Sequence, residues 1–217
     1  MGAPTAQTER ADPKPSGPAL ADAARDLIAI GARMDVRGWV PASAGNLSVR
    51  LDDATIAITR SGVHKGRLVP RDIIAVRLDG TPRHASETPS AETLLHCQLY
   101  RRDPAIHAVL HGHSVAATTL SMLTHEPALM LQDYEILKAF PGIATHRTVA
   151  ALPVFDNDQD IARLAQTIEP ALAAAPIGYL LRGHGAYAWG PDLERCFWRL
   201  EALEFLLSCE CERRRLQ

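Results

Sequence analysis

The segment Val109-Leu110-His111-Gly112-His113 sets two imidazoles one residue apart at the end of an apolar run. Side chains on a strand alternate between its faces, so positions i and i+2 project together. His111 and His113 therefore share one side of a strand end, which suits two nitrogen ligands to a single zinc-type ion. A third imidazole, His184, stands between Gly183 and Gly185, where another apolar strand breaks off. Glycine admits backbone angles and close approaches that other residues refuse, and this Gly-His-Gly is read as carrying the third ligand. Three protein ligands with a fourth position left open form the catalytic pattern for zinc, not the closed structural one. Of the nine histidines, His64 is the one other expected near this site. His84 lies in a polar loop, and His96, His107, His125 and His146 have no partner at ligand spacing, so they are expected to be structural or surface residues.

Three loops of small residues accompany the histidines: SAGNLS at Ser43–Ser48, TRSGVHKG at Thr59–Gly66 and TPSAE at Thr88–Glu92. Each offers backbone N–H groups with hydroxyl or amide side chains, and PSAE is expected to open a helix whose N-terminus attracts an anion. None matches a P-loop or a dinucleotide fingerprint, so no nucleotide is indicated.

The elements that must position these residues alternate along the chain. Leu20, Ala24, Leu27, Ile28 and Met34 recur at helical spacing, and Gly38 is a natural stop. NLSVRL and TIAIT read as strands joined at Asp52-Asp53, followed by the strand IIAVRLDG. A helix over SAETLLHCQLYRR leads to the strand HAVLHGH, after which Ser114 caps the helix VAATTLSML. DYEILKAF reads as a short helix closed by Pro141-Gly142, ALPVF as a strand and DQDIARLAQTIEPAL as an amphipathic helix. IGYLLRGHGAYAWG gives two strands broken at Gly183-His184-Gly185, and a long helix ends the chain. The expectation is one α/β domain over residues 19–217, preceded by a disordered tail over residues 1–18.

Composition narrows the function. The net charge of -2 gives no whole-molecule attraction to nucleic acid or anionic membrane. No apolar run reaches the length of a membrane span, and the first residues lack a signal-peptide core, so a cytoplasmic protein is expected. Cys209 and Cys211 point about 200° apart on a helix, poor geometry for a shared metal or a disulfide. With Cys97 and Cys196 they read as reduced, packed thiols.

ASAGNLSVR, ITRSGVHKG, PSAE, VLHGHS and RGHGAYAWG, in this order and spacing, resemble the class II aldolase/adducin-head family from about Ala19 to the C-terminus. GWVPASAGNLS, SGVHKG, DYEILKAFPGI and PVFDNDQDIARLA look like its dehydratase branch rather than the sugar-phosphate aldolases. The resemblance implies a three-layer α/β/α sandwich around a mostly antiparallel central sheet, assembled as a homotetramer with sites at subunit interfaces. It implies one zinc ion per subunit on His111, His113 and His184, and a substrate phosphate held by Gly45, Asn46, Ser61, Gly62 and Ser90. Ala91 stands where the family's usual motif has a second serine, so one hydroxyl contact is missing there. Two carboxylates compete for the acid/base role: Glu135 matches the glutamate of the dehydratase branch and ranks first, and Glu92 holds the position of the aldolases' catalytic glutamate. The implied reaction is dehydration of 5-methylthioribulose 1-phosphate to 2,3-diketo-5-methylthiopentyl 1-phosphate in methionine salvage. The alternatives are an aldolase cleaving a ketose 1-phosphate such as fuculose or rhamnulose 1-phosphate, and a non-catalytic adducin-like interaction domain. Such domains tend to lose the metal ligands, which this chain keeps.

Overall fold

The computed structural model describes residues 18–217; the tail expected over residues 1–18 thus lies, apart from Pro18, outside the described residues. The chain opens with helix α1 (Leu20–Val36), which buries Ala23, Ala24, Leu27, Ile30 and Met34 on one stripe and ends ahead of Gly38, where φ is +71°. Strands β1 (Asn46–Arg50), β2 (Thr55–Thr59) and β3 (Ile73–Arg77) form a meander. Helix α2 (Thr93–Arg102) crosses to β4 (Ala108–Gly112). Helix α3 (Val115–Leu123) begins at Ser114, whose hydroxyl accepts the Ala117 N–H, the cap expected from sequence.

Strands β5 (Ala128–Gln132) and β6 (Val149–Phe155), helix α4 (Ile161–Ile168), strands β7 (Tyr179–Leu181) and β8 (Gly185–Gly190) and helix α5 (Leu193–Arg215) complete the order. The eight strands form one sheet ordered β3-β2-β1-β4-β8-β7-β6-β5. Every pairing is antiparallel except β6 with β7, so the sheet is mostly antiparallel, as expected.

Alternation divides the strand side chains between two cores. On one face Leu47, Leu110, Ala186 and Ala188 pack with α1, α3 and α5; on the other Val109, Tyr179 and Tyr187 pack with α2 and α4. Helices on both faces of a central sheet make the α/β/α sandwich. Helix α5 carries apolar residues on more than one face because it packs on β4, β8 and α3 together.

Three local expectations differ. Strand β5 has no counterpart in the elements expected from sequence; its alternating burial is carried by only five residues. DYEILKAF forms only a 3-10 turn over Glu135–Ala139. The helix expected across residues 158–172 gives way after Ile168 to a 3-10 segment, Glu169–Ala174, with Pro170 in its first turn, because proline has no N–H to continue the α-helical ladder.

Glu204, on α5, is 2% exposed. Burial pushes its carboxyl up to about 7 from the ordinary 4.5, against a weaker pull from the Ser114 side chain. The unfolded chain releases this proton above pH 4.5 while the folded chain keeps it until about pH 7. Stability is therefore lost as pH rises through that window. Glu204→Gln cannot ionise, so its thermal midpoint should gain on the parent from about pH 4.5 to 7 and hold a constant lead above, worth a few kcal/mol. Melting curves across pH check this.

Candidate metal centre

His111 is the last residue but one of β4, on the α2 side of the sheet, and the register sets it opposite Asn46 of β1 and Tyr187 of β8. Its ring is wholly buried and stacks on Tyr187 at 4.0 Å. His113 lies just past the strand end, where its N–H donates to the Trp39 carbonyl at 2.7 Å. His184 sits in the tight β7–β8 turn, held by its N–H to Leu181 and by the Thr118 hydroxyl, which donates to its carbonyl at 2.9 Å. The three rings converge, with centroids 4.4–4.9 Å apart.

Two glycines beside the cluster are packing requirements. A Cβ on Gly185 would strike the Gly112 carbonyl, so only glycine lets β8 close on β4 here. Gly45, at φ +78°, has the His111 carbonyl 2.8 Å and a Val40 methyl 2.7 Å from where its Cβ would stand.

Proton positions follow from the partners. His111 Nδ1 faces the Ala186 carbonyl at 2.9 Å, and His184 Nδ1 faces Asn157 Oδ1 at 3.3 Å. Both oxygens can only accept, so each Nδ1 carries the proton and each Nε2 is left with a lone pair. Those two Nε2 atoms lie 3.3 Å apart, and His113 Nε2 is buried with no hydrogen-bond partner. Ligand nitrogens from all three residues fall within 4.8 Å of one another. Burial lowers the pKa of His111 far below the ordinary imidazole value, and burial with the neighbouring His184 lowers His113 to about 4. These rings are therefore neutral at physiological pH, the protonation state a metal requires. Converging lone pairs repel unless a cation lies between them, so the donor set fits a metal ion.

Glu92 stands beside the cluster at the N-cap of α2, with Oε1 3.4 Å from His184 Nε2 and Oε2 3.8 Å from His111 Nε2. Burial pushes its carboxyl up, but the His184 and His111 imidazoles and the Asn46 amide beside it together hold it well below the usual carboxylate range. The Glu92 side chain makes no cap bond to the helix, and α2 begins at Thr93, three residues after Ser90. The Ser90 carbonyl instead accepts the Thr93 N–H and hydroxyl.

The three small-residue loops are tied together. The Ser61 N–H donates to the Thr88 carbonyl at 3.0 Å and the Ser90 N–H to the Thr59 carbonyl at 3.3 Å. The buried Lys65 ammonium donates to the Ser43 and Val63 carbonyls at 2.6 and 2.7 Å. Burial lowers its pKa to about 8, with Glu92 opposing. Ser61 and Gly62 are exposed, Ser90 is half-buried, and Gly45 and Asn46 are buried. His64 turns away from this cluster: its Nδ1 accepts the Gly66 N–H, and Asp35 lies 3.9 Å from its Nε2.

Glu135 is not among these contacts. Its side chain is 69% exposed, with an ion pair to Lys138 and His146 Nδ1 at 3.6 Å. Sequence reasoning missed two residues of the site. Asn157 orients His184, and its only signal was its place in PVFDND. His96, set aside as structural, is buried behind Asn46.

A model of the family described as Class II Aldolase and Adducin N-terminal domain matches residues 25–211. This chain belongs to that family. It is 70% identical over 210 residues to a methylthioribulose-1-phosphate dehydratase of Acidiphilium cryptum (strain JF-5), covering 97% of this chain and all of that protein. It is 48% identical to the protein of the same name from Pseudomonas syringae pv. tomato, covering 88% of this chain and 94% of that one. Among solved structures it resembles the L-fuculose-1-phosphate aldolase of Thermus thermophilus, with a TM-score of 0.74, 28% identity and coverage of 92% and 98%.

Replacing His111, His113 or His184 by alanine should each remove most of the divalent metal that copurifies with the protein. Elemental analysis reads this directly; near-stoichiometric metal in all three variants would contradict the assignment.

Proposed function

We propose that this protein is a metal-dependent hydro-lyase that dehydrates 5-methylthioribulose 1-phosphate to 2,3-diketo-5-methylthiopentyl 1-phosphate, a step of methionine salvage in the cytoplasm. The observation that carries the reading is the His111, His113 and His184 cluster with its convergent bare nitrogens, in a chain 70% identical to a protein named for that activity. The resident ion is zinc, one per subunit, held by these three residues. Bound there, it would supply Lewis acidity to offset the negative charge that develops on the substrate.

This chain's own residues do the rest. The Gly45–Asn46, Ser61–Gly62 and Ser90 loops hold the phosphate through backbone N–H, hydroxyl and amide donors. Lys65 adds positive charge, having one ammonium hydrogen beyond the two that bond Ser43 and Val63. Glu135 takes the C3 proton and returns one to the departing C4 hydroxyl, a task one carboxyl can perform in turn. Loss of water leaves an enol that ketonises to the product. Glu92, kept ionised against His111 and His184, shapes the site and is a poor proton donor.

Glu135 is exposed on its own chain, and so are nearby apolar residues Met130, Ile136 and Val149. That supports a homotetramer in which Glu135 completes the site of a neighbouring subunit. An aldolase is the second reading, favoured by Glu92 lying directly beside the histidines. No helix among the described residues is long and apolar enough to cross a membrane, in keeping with a small-molecule enzyme.

The purified protein should convert 5-methylthioribulose 1-phosphate by dehydration and leave fuculose and rhamnulose 1-phosphates uncleaved. Glu135→Gln should abolish turnover with metal content intact, and Glu92→Gln should reduce it less; the reverse order would favour the aldolase. Mixing two inactive variants, Glu135→Gln and His113→Ala, through unfolding and reassembly should restore about a quarter of parental activity if each site draws its glutamate from a neighbour around a closed ring. No recovery would place Glu135 in its own subunit's site.

A further inference from the structure

A buried row of hydrogen bonds runs back from the metal centre. The Asn46 amide nitrogen donates to Glu92, and Asn46 Oδ1 lies 2.5 Å from His96 Nε2. His96 Nδ1 lies 2.7 Å from the Ser48 hydroxyl, which lies 2.8 Å from the Tyr100 hydroxyl. Arg50 closes the row with a 2.7 Å bond to the Tyr100 carbonyl. Asn46, Ser48, His96 and Tyr100 are each 2% exposed or less.

The row exists because two repeats match. Glu92, His96 and Tyr100 recur every four residues along α2, and Asn46, Ser48 and Arg50 every two along β1. Four helical residues rise about 6 Å and two strand residues about 6.6 Å, so the two series interdigitate.

Every hydrogen in the row is assigned by what its neighbour can do. The Glu92 carboxylate only accepts, so the amide NH2 must face it and the amide oxygen must face His96. That oxygen only accepts, so His96 carries its proton on Nε2. Burial lowers the His96 pKa to about 3, which keeps the ring singly protonated and leaves Nδ1 as an acceptor. Ser48 then donates to His96, and Tyr100 donates to Ser48. A flipped Asn46 would set its oxygen against a carboxylate and its NH2 against an N–H, leaving buried groups unpaired.

We propose that His96 is a positioning residue: backed by Ser48 and Tyr100, it locks the Asn46 amide as a double donor, one hydrogen on Glu92 and the other available to the substrate phosphate. This rests on the dehydratase reading for its kinetic consequence, though not for its geometry. Without the lock the amide rotates and presents an acceptor to two anions.

The experiment joins spectroscopy to kinetics. In protein labelled with 15N-histidine, the signal lost in His96→Leu should report an Nε2–H tautomer throughout the pH range in which the protein is folded. Per bound metal, His96→Leu should lose tenfold or more in kcat, the range found when groups supporting a metal site are removed. Its affinity for inorganic phosphate, measured by calorimetry, should fall severalfold with metal content unchanged. His96→Gln, whose side-chain NH2 can donate to Asn46, should recover part of both, and Tyr100→Phe should move both in the same direction by less. In an Asn46→Asp background His96→Leu should add little, since residues acting through one contact are not additive.

An Nδ1–H tautomer, full additivity, or a lowered melting temperature with kcat and phosphate affinity unchanged would overturn the proposal. Should His96→Leu fail to fold, Tyr100→Phe and the tautomer decide. Should the parent protein not turn over 5-methylthioribulose 1-phosphate, the dehydratase reading fails, while the tautomer and the inorganic phosphate affinity still decide the lock.

Discussion

Two imidazole nitrogens with bare lone pairs, 3.3 Å apart, are the constraint around which the rest of this structure is arranged. Such an approach is unfavourable without positive charge between the rings, and the fold enforces it from both sides. The Ala186 carbonyl and the Asn157 amide oxygen hold the far nitrogens as donors. The stack on Tyr187 keeps the His111 ring in place, and the contact of Gly185 with the Gly112 carbonyl brings the two strands close enough. Neutral, preorganised donors aimed at one point are what a divalent ion selects.

The negative side of the balance is set just as firmly. Glu92 lies within 4 Å of two of the imidazoles, and its charge is retained despite partial burial because polar groups converge on it. The α2 face of the sheet is therefore polar where it meets the site, through Asn46, Ser48 and His96, and Arg50 continues that polar row along β1. Buried polar groups are tolerated when all are paired, and here strand and helix spacings pair them. The opposite face is packed mainly with leucine, isoleucine and alanine, with Glu204 of α5 buried on that side.

The candidate site residues thus differ in how they are held. The histidines, Glu92 and the small-residue loops are linked by hydrogen bonds across β1, β4, β8 and α2. Glu135 instead sits on a five-residue 3-10 turn beside the edge strand β5, with its carboxylate in solvent. On the proposed reading, a hydrogen-bonded centre in one subunit completed by an acid from another would make activity depend on assembly.

Much of this was legible in the chain. Period-2 placement of His111 and His113, and a Gly-His-Gly at a strand break, pointed to the histidine cluster because side-chain direction on a strand follows from position alone. Helical periodicity located α1, and Ser114 announced the start of α3. Other features depend on partners far away in sequence. His96 looked like a lone structural histidine, since its significance lies in Asn46 and Ser48, some 50 residues earlier. Asn157 and His184 meet only because β6 and β7 pair in parallel. Strand β5 is too short to signal itself and is defined by β6 beside it. The sequence by itself determined which side chains could bind a metal and on which side of their strand they stand, because those are local properties of the backbone. Only the tertiary structure decided which nitrogen of each ring is free, which carboxylate stands beside the cluster and which loops close on one another, because each depends on long-range strand and helix pairing.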